Sequence, residues 1–243
     1  MLRSCPLGES GQFFLFQCLP THIQTRLLTT TYALTKRSST QAPKRLNVLP
    51  ENSSKANQMN DTVKILGIAG SLRRASYNHA ALVAAQSLLP ANASLSLFDL
   101  EGLPLFNQDK EGEPDARVIE LKKAIRDADA ILIATPEYNY SIPGVLKNAI
   151  DCASRPYGDS AWSGKPVAVM GASVGLFGSA RAQYHLRQCF IFLEMIPMNQ
   201  PEVMIGKANK AFDADGKLID ETSQGLIRKM LDGLVQLTRQ LKK

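Results

Sequence analysis

From about residue 62 onward, the apolar positions of this chain keep switching between two periods. Val63-Lys64-Ile65-Leu66-Gly67-Ile68-Ala69 and Ala130-Ile131-Leu132-Ile133-Ala134-Thr135 are short, nearly continuous apolar runs, the pattern of strands covered on both faces. Between such runs the apolar residues recur at helical spacing. The pattern predicts strands over residues 63–69, 93–99, 130–135, 167–171 and 198–205. It predicts helices over residues 78–89, 115–127, 144–153, 180–192 and 221–241. Strands that alternate with helices at this spacing imply a parallel sheet with helices on both faces.

Right-handed crossovers leave few ways to thread five such strands, and the order 2-1-3-4-5 is favoured. The expected architecture is therefore α/β: a three-layer, flavodoxin-like fold spanning residues 61–243 as one domain. Residues 1–60 are set apart from it. They hold 13 Ser/Thr, scattered Arg and Lys, and no sustained period. A weak amphipathic helix over residues 22–37 fits an organellar transit peptide. An upstream extension or disordered tail before Met59-Asn60-Asp61 fits equally well.

Charge divides along the same boundary. Residues 1–60 carry seven Lys/Arg against two Glu, whereas the remaining residues carry 21 basic and 20 acidic groups. The basic balance thus belongs to the N-terminal stretch, and no nucleic-acid or membrane partner is expected for the folded part. Cys152 and Cys189 sit singly in helical patterns, and the three histidines are scattered, so neither a disulfide framework nor a metal site is expected. An intracellular, reducing location follows: the cytoplasm, or a mitochondrion or plastid if residues 1–60 are a transit peptide.

Open parallel sheets bind ligands at the carboxyl ends of their strands. The loop after the first strand, Gly70-Ser71-Leu72-Arg73-Arg74-Ala75-Ser76-Tyr77-Asn78, is rich in hydroxyls and leads into a helix N-terminus. Ser71, Ser76 and Asn78 can donate to phosphate oxygens, and Arg73 offers a fork-shaped cation. The loop has neither the Lys of a nucleotide-triphosphate loop nor GxGxxG. The loop after the third strand, Pro136-Glu137-Tyr138-Asn139-Tyr140-Ser141-Ile142-Pro143-Gly144, brackets aromatic and amide groups between prolines. It suits a planar, hydrogen-bonding ring, and a phosphate joined to such a ring describes flavin mononucleotide. The third loop, residues 171–179, is glycine-spaced, with Ser173 as a possible ring contact. Asn148 and Asp151 read as structural, and His185 has no partner visible in sequence.

These two loop segments, together with Ala180-Arg181-Ala182-Gln183-Tyr184-His185-Leu186-Arg187, resemble the NADPH-dependent FMN reductase family, in its soluble quinone and chromate reductase branch. The resemblance spans about residues 62–205. It implies a flavodoxin-like subunit, non-covalent FMN, and assembly as a homodimer or homotetramer with the flavin near a subunit contact. It further implies that residues 71–78 hold the phosphate and that Pro136, Glu137, Tyr138 and Asn139 lie along the ring. Gly171 and Ala172 stand where some members carry hydroxyls, which leaves the contact through Ser173 open.

The activity expected from these features is ping-pong hydride transfer from NADPH or NADH to FMN, then two-electron reduction of a small acceptor such as a quinone, chromate, an azo compound or free flavin. The flavin carries the chemistry, so no catalytic side chain is assigned. Two rivals use the same fold: an electron carrier of the flavodoxin type, and a non-catalytic binding module.

Overall fold

The computed structural model describes residues 62–242. The extension, with the helix expected over residues 22–37 and two of the four cysteines, lies outside the described residues.

Strands β1 (Val63–Ala69), β2 (Ala93–Phe98), β3 (Ala130–Ala134) and β4 (Pro166–Ala172) alternate with helices α1 (Tyr77–Ser87), α2 (Ala116–Asp127) and α3 (Gly144–Ala153). Helix α4 (Ala180–Phe192) follows, then β5 (Ile196–Pro197), β6 (Val203–Ile205), α5 (Ala208–Ala211) and α6 (Glu221–Leu241). All pairings are parallel, in the order β2-β1-β3-β4-β5, with β6 also on β4. The order expected from crossover handedness is the one observed.

Alternation along each strand feeds two cores. Ile65, Leu132 and Met170 face a cluster completed by Leu82 of α1 and by Ile227, Met230 and Leu234 of α6. Their chain neighbours Leu66, Ile131, Ile133 and Val169 face the other side, against Leu121 and Ile125 of α2, Leu146 of α3 and Leu186 of α4. Residues adjacent in sequence therefore serve opposite layers, as pleating requires. This explains why β3, with helices on both faces, reads as an unbroken apolar run.

The fifth strand departs from the expectation of one continuous segment over residues 198–205. Pro166 faces Ile196, thirty residues on, whereas Met170 faces Val203, thirty-three on. The chain leaves the ladder between the two pieces and re-enters it with three extra residues. Pro197 and Pro201 supply no N–H to a ladder, so a continuous strand across them is disfavoured. The excursion is held instead by Arg187 of α4, whose guanidinium donates twice to the Met198 carbonyl at 3.1 Å. Helix α5 and a single 3₁₀ turn at Gln108–Lys110 were not expected from the pattern. At four and three residues, they are too short to show a period.

Candidate functional site

Three loops leave the carboxyl ends of adjacent strands: residues 70–76 after β1, 135–143 after β3 and 173–179 after β4. The sheet ladder continues into their first residues. The N–H of Gly70 donates to Ala134 at 2.8 Å, that of Thr135 to Met170 at 2.9 Å, and that of Ser173 to Ile205 at 3.0 Å. The loops therefore start from fixed positions.

In the first loop, Arg73 is exposed and its guanidinium lies 5.5 Å from the Tyr77 ring. The N–H groups of Leu72, Arg74 and Ala75 have no acceptor among the described residues. Ser71 Oγ accepts from the Arg73 N–H at 3.3 Å and reaches the Tyr138 hydroxyl at 3.5 Å, joining the first loop to the second. Ser76 is buried and caps α1, accepting from the His79 N–H at 3.4 Å. Asn78 is buried as well, and both ends of its amide meet Ala172. Its Nδ2 donates to the Ala172 carbonyl at 3.0 Å, and its Oδ1 accepts from the Ala172 N–H at 2.9 Å. That side chain straps α1 to the end of β4.

The second loop contains a tight turn in which Tyr138 and Ser141 exchange main-chain hydrogen bonds of 3.2 and 3.0 Å. Both central residues, Asn139 at φ 50° and Tyr140 at φ 67°, occupy the left-handed region, unusual for a tyrosine. The N–H groups of Glu137 and Asn139 have no acceptor among the described residues, while Pro136 is buried against Gly70. Ser141 Oγ lies 3.0 Å from His185 Nδ1, a partner that the sequence did not reveal. Asn148 is structural: it donates to Pro104 and accepts from Phe106, both at 2.8 Å, pinning the loop after β2. Asp151 pairs with Lys147 at 2.8 Å.

Glu137 turns away from solvent. Its Oε2 accepts from the Arg181 N–H at 3.0 Å and the Ala182 N–H at 3.3 Å, and its Oε1 accepts from Arg181 Nε at 2.5 Å. Burial would raise the carboxyl pKa, but the Arg181 hydrogen bond and charge and the two helix N–H groups outweigh it and hold the pKa below the usual glutamate value. Arg181 in turn lies 3.7 Å from the Tyr140 ring and 5.2 Å from the Phe177 ring. A basic residue in the first turn of a helix opposes the helix dipole. An arginine there, on a helix with no local acid or cap, is the signal that calls for a carboxylate from elsewhere.

In the third loop Ser173 Oγ accepts from the Gly175 N–H at 3.2 Å and keeps its own proton to donate. A Cβ at Gly171 would lie 1.8 Å from Ser179 Oγ and 2.4 Å from the Thr135 carbonyl, so no hydroxyl residue fits there in this chain. Val174, Leu176, Phe177, Tyr138 and Tyr140, all more than half exposed, give the three loops an apolar, aromatic rim.

The donor set suits a phosphorylated planar ring: open N–H groups, a serine and an arginine on one loop, and open N–H groups beside aromatic faces on the next. A sequence model of the NADPH-dependent FMN reductase family matches residues 63–210. The chain belongs to that family. Among its relatives, an NAD(P)H-dependent FMN reductase of Pseudomonas aeruginosa is 54% identical over 186 residues, covering 76% of this chain and 100% of the relative. A 2-hydroxy-1,4-benzoquinone reductase of Burkholderia is 45% identical over 170 residues, covering 70% and 93%. The solved structure of the flavoenzyme NAD(P)H:(acceptor) oxidoreductase FerB of Paracoccus denitrificans superposes with a TM-score of 0.69 at 36% identity, over 74% of this chain and 98% of that one.

Three other features of this family member concern other parts of the chain. A cleft of about 750 Å³ lies under residues 104–115 against α2 and the end of α3, away from the three loops. Burial raises the thiol pKa of both Cys152 and Cys189, so neither is an activated thiolate. No cluster of metal-ligand side chains exists among the described residues.

Proposed function

We propose that this family member binds FMN non-covalently and acts as an NAD(P)H-dependent oxidoreductase on quinones or similar small acceptors, chromate, azo compounds and free flavin included. The observation that carries the reading is that two loops linked by the 3.5 Å approach of Ser71 to Tyr138 both carry main-chain N–H groups without an acceptor among the described residues, with Ser71 and Arg73 on one loop and tyrosine rings on the other. Relatives named for FMN and quinone reduction point the same way.

Bound FMN would supply the redox chemistry, taking a hydride from NADPH or NADH and passing two electrons to the acceptor in ping-pong order. The chain's own task is to bind and orient. Arg73, Ser71 and the N–H groups of Leu72, Arg74 and Ala75 hold the phosphate, with Ser76 and Asn78 shaping the loop from beneath. Pro136, Tyr138 and the Glu137 and Asn139 N–H groups line the ring, and the Ser173 hydroxyl donates to it from the third loop. The rim of Tyr140, Val174 and Phe177 offers an apolar seat to a planar acceptor.

A homodimer or homotetramer is part of the proposal. Tyr184, Gln188, Ile191 and Phe192 share one face of α4, and Ile191 and Phe192 are 81% and 76% exposed. Such a stripe marks an interaction face. No helix among the described residues is long and apolar enough to cross a membrane. We place the protein inside the cell, in the cytoplasm, or in a mitochondrion or plastid where residues 1–60 act as a transit sequence, with residues 61–243 as the reductase domain.

An absorbance spectrum of the purified full-length chain, taken before and after anaerobic NADPH and then a quinone, tests the reading. Flavin bands that bleach with NADPH and return with quinone are expected. A colourless protein that takes up no FMN on soaking would refute it.

A further inference from the structure

We infer that Glu137 is a positioning residue that clamps the ring-side loop to the N-terminus of α4, so that flavin affinity is set by a contact the flavin itself does not make. The inference rests on the FMN reading above and adds to it a role for the Glu137 side chain.

Helix α4 begins without a cap of its own. Ser179 at its start has φ 68° and makes no side-chain capping bond, and the first turn holds no acid. The N–H of Ala180 is satisfied by the Phe177 carbonyl at 2.9 Å, which leaves the next two donors, Arg181 and Ala182. Helices usually satisfy such groups with a local Ser, Thr, Asp or Asn. Here a single carboxylate, 44 residues earlier in the chain, takes both. The Glu137 side chain is only 8% exposed, and each of its oxygens is engaged.

The loop that lends this carboxylate is itself under constraint. Asn139 and Tyr140 both sit at positive φ, conformations that persist only where surrounding contacts over-determine them. Arg181 provides those contacts: it bonds to Glu137 through Nε and Nη2 and packs over the Tyr140 ring. Glu137 and Arg181 thus hold the turn from both of its ends. The neighbouring Tyr138 faces the other way, to Ser71 of the phosphate loop. Loosening the Glu137 joint would free the second loop to move relative to the first and third, and the Glu137 and Asn139 N–H groups would lose their fixed aim.

A merely stabilising ion pair would make a different prediction, and flavin binding itself separates the two. Full-length wild type, Glu137→Gln and Arg181→Lys are titrated as apoproteins with FMN and with riboflavin, and the visible circular dichroism of bound flavin is recorded. Glutamine keeps the shape and one acceptor oxygen but not the charge; lysine keeps the charge but neither the fork nor the stacking plane. Both variants are expected to weaken FMN and riboflavin by the same factor, roughly tenfold, the scale of one lost charge-assisted hydrogen bond. The flavin dichroism should change shape. Arg73→Ala should instead weaken FMN alone, because riboflavin has no phosphate.

Wild-type affinity and unchanged dichroism in Glu137→Gln or Arg181→Lys, with cooperative unfolding retained, would overturn the inference. So would a loss confined to FMN. If wild type itself binds neither flavin, it is the FMN reading that fails. Should Arg181→Lys not fold, Glu137→Gln decides alone; should that fail too, Tyr140→Gly, which removes the ring packed on Arg181 and keeps both charges of the ion pair, must loosen both flavins.

Discussion

At the scale of single residues, type was legible and partner was not. Ser71, Arg73 and the tyrosines stand on the loops where their chemistry placed them. Asn78 and Glu137 were picked out as cofactor contacts, yet their side chains reach Ala172 and the start of α4, 94 and 44 residues along the chain. No pattern in a single sequence encodes such a distance. The same limit hid the approach of Ser141 to His185. The two serines of the first loop should therefore behave differently. Ser71→Ala and Arg73→Ala should weaken FMN binding severalfold or more and leave the urea midpoint near wild type. Ser76→Ala should cost about 1 kcal/mol of stability, the usual loss for a helix N-cap. Fluorescence titration and urea unfolding of the three variants check both halves.

At the scale of elements, long periodic segments were legible and short or proline-broken ones were not. Helices α3, α4 and α6 run over the residues their apolar spacing predicts, because each buries one stripe against the sheet. The fifth strand failed as a single unit because Asn199-Gln200-Pro201-Glu202, polar and proline-broken, separates its two apolar pieces. Contacts between elements decide which glycines matter, again beyond a linear reading. Gly178 has φ +51°, and an added Cβ would lie 2.4 Å from the Met204 carbonyl carbon and 2.7 Å from the Ile205 nitrogen. Backbone cannot yield there as a side chain can. Gly216 also has positive φ, +80°, but nothing stands within 4 Å. Gly216→Ala should cost about 1–2 kcal/mol from the left-handed conformation alone. Gly178→Ala should cost more and should also displace the third loop from β6, which paired urea midpoints and FMN titrations will show.

At the scale of the whole molecule, layer count and strand order followed from alternation and crossover handedness, rules that need no side-chain detail. The association surface did not, because a polar stretch such as Arg181 to Gln188 reads the same whether solvent or another subunit covers it. Ile191 and Phe192, beyond that stretch, are exposed. The homo-oligomer proposed above predicts that replacing both with aspartate shifts the light-scattering mass toward the 26.6 kDa chain and leaves the circular dichroism of the fold unchanged.

The break between β5 and β6 bears on how copies of this chain can meet. A sheet that ends on a long straight strand offers a row of unpaired N–H and C=O groups to any passing chain. This one ends on pieces of two and three residues, stepped out of line and separated by Pro201. That border is a poor template for a seventh strand. On this side of the sheet it protects against the edge-to-edge stacking that leads to fibres, leaving the opposite border, the six-residue β2, as the one with a regular open ladder.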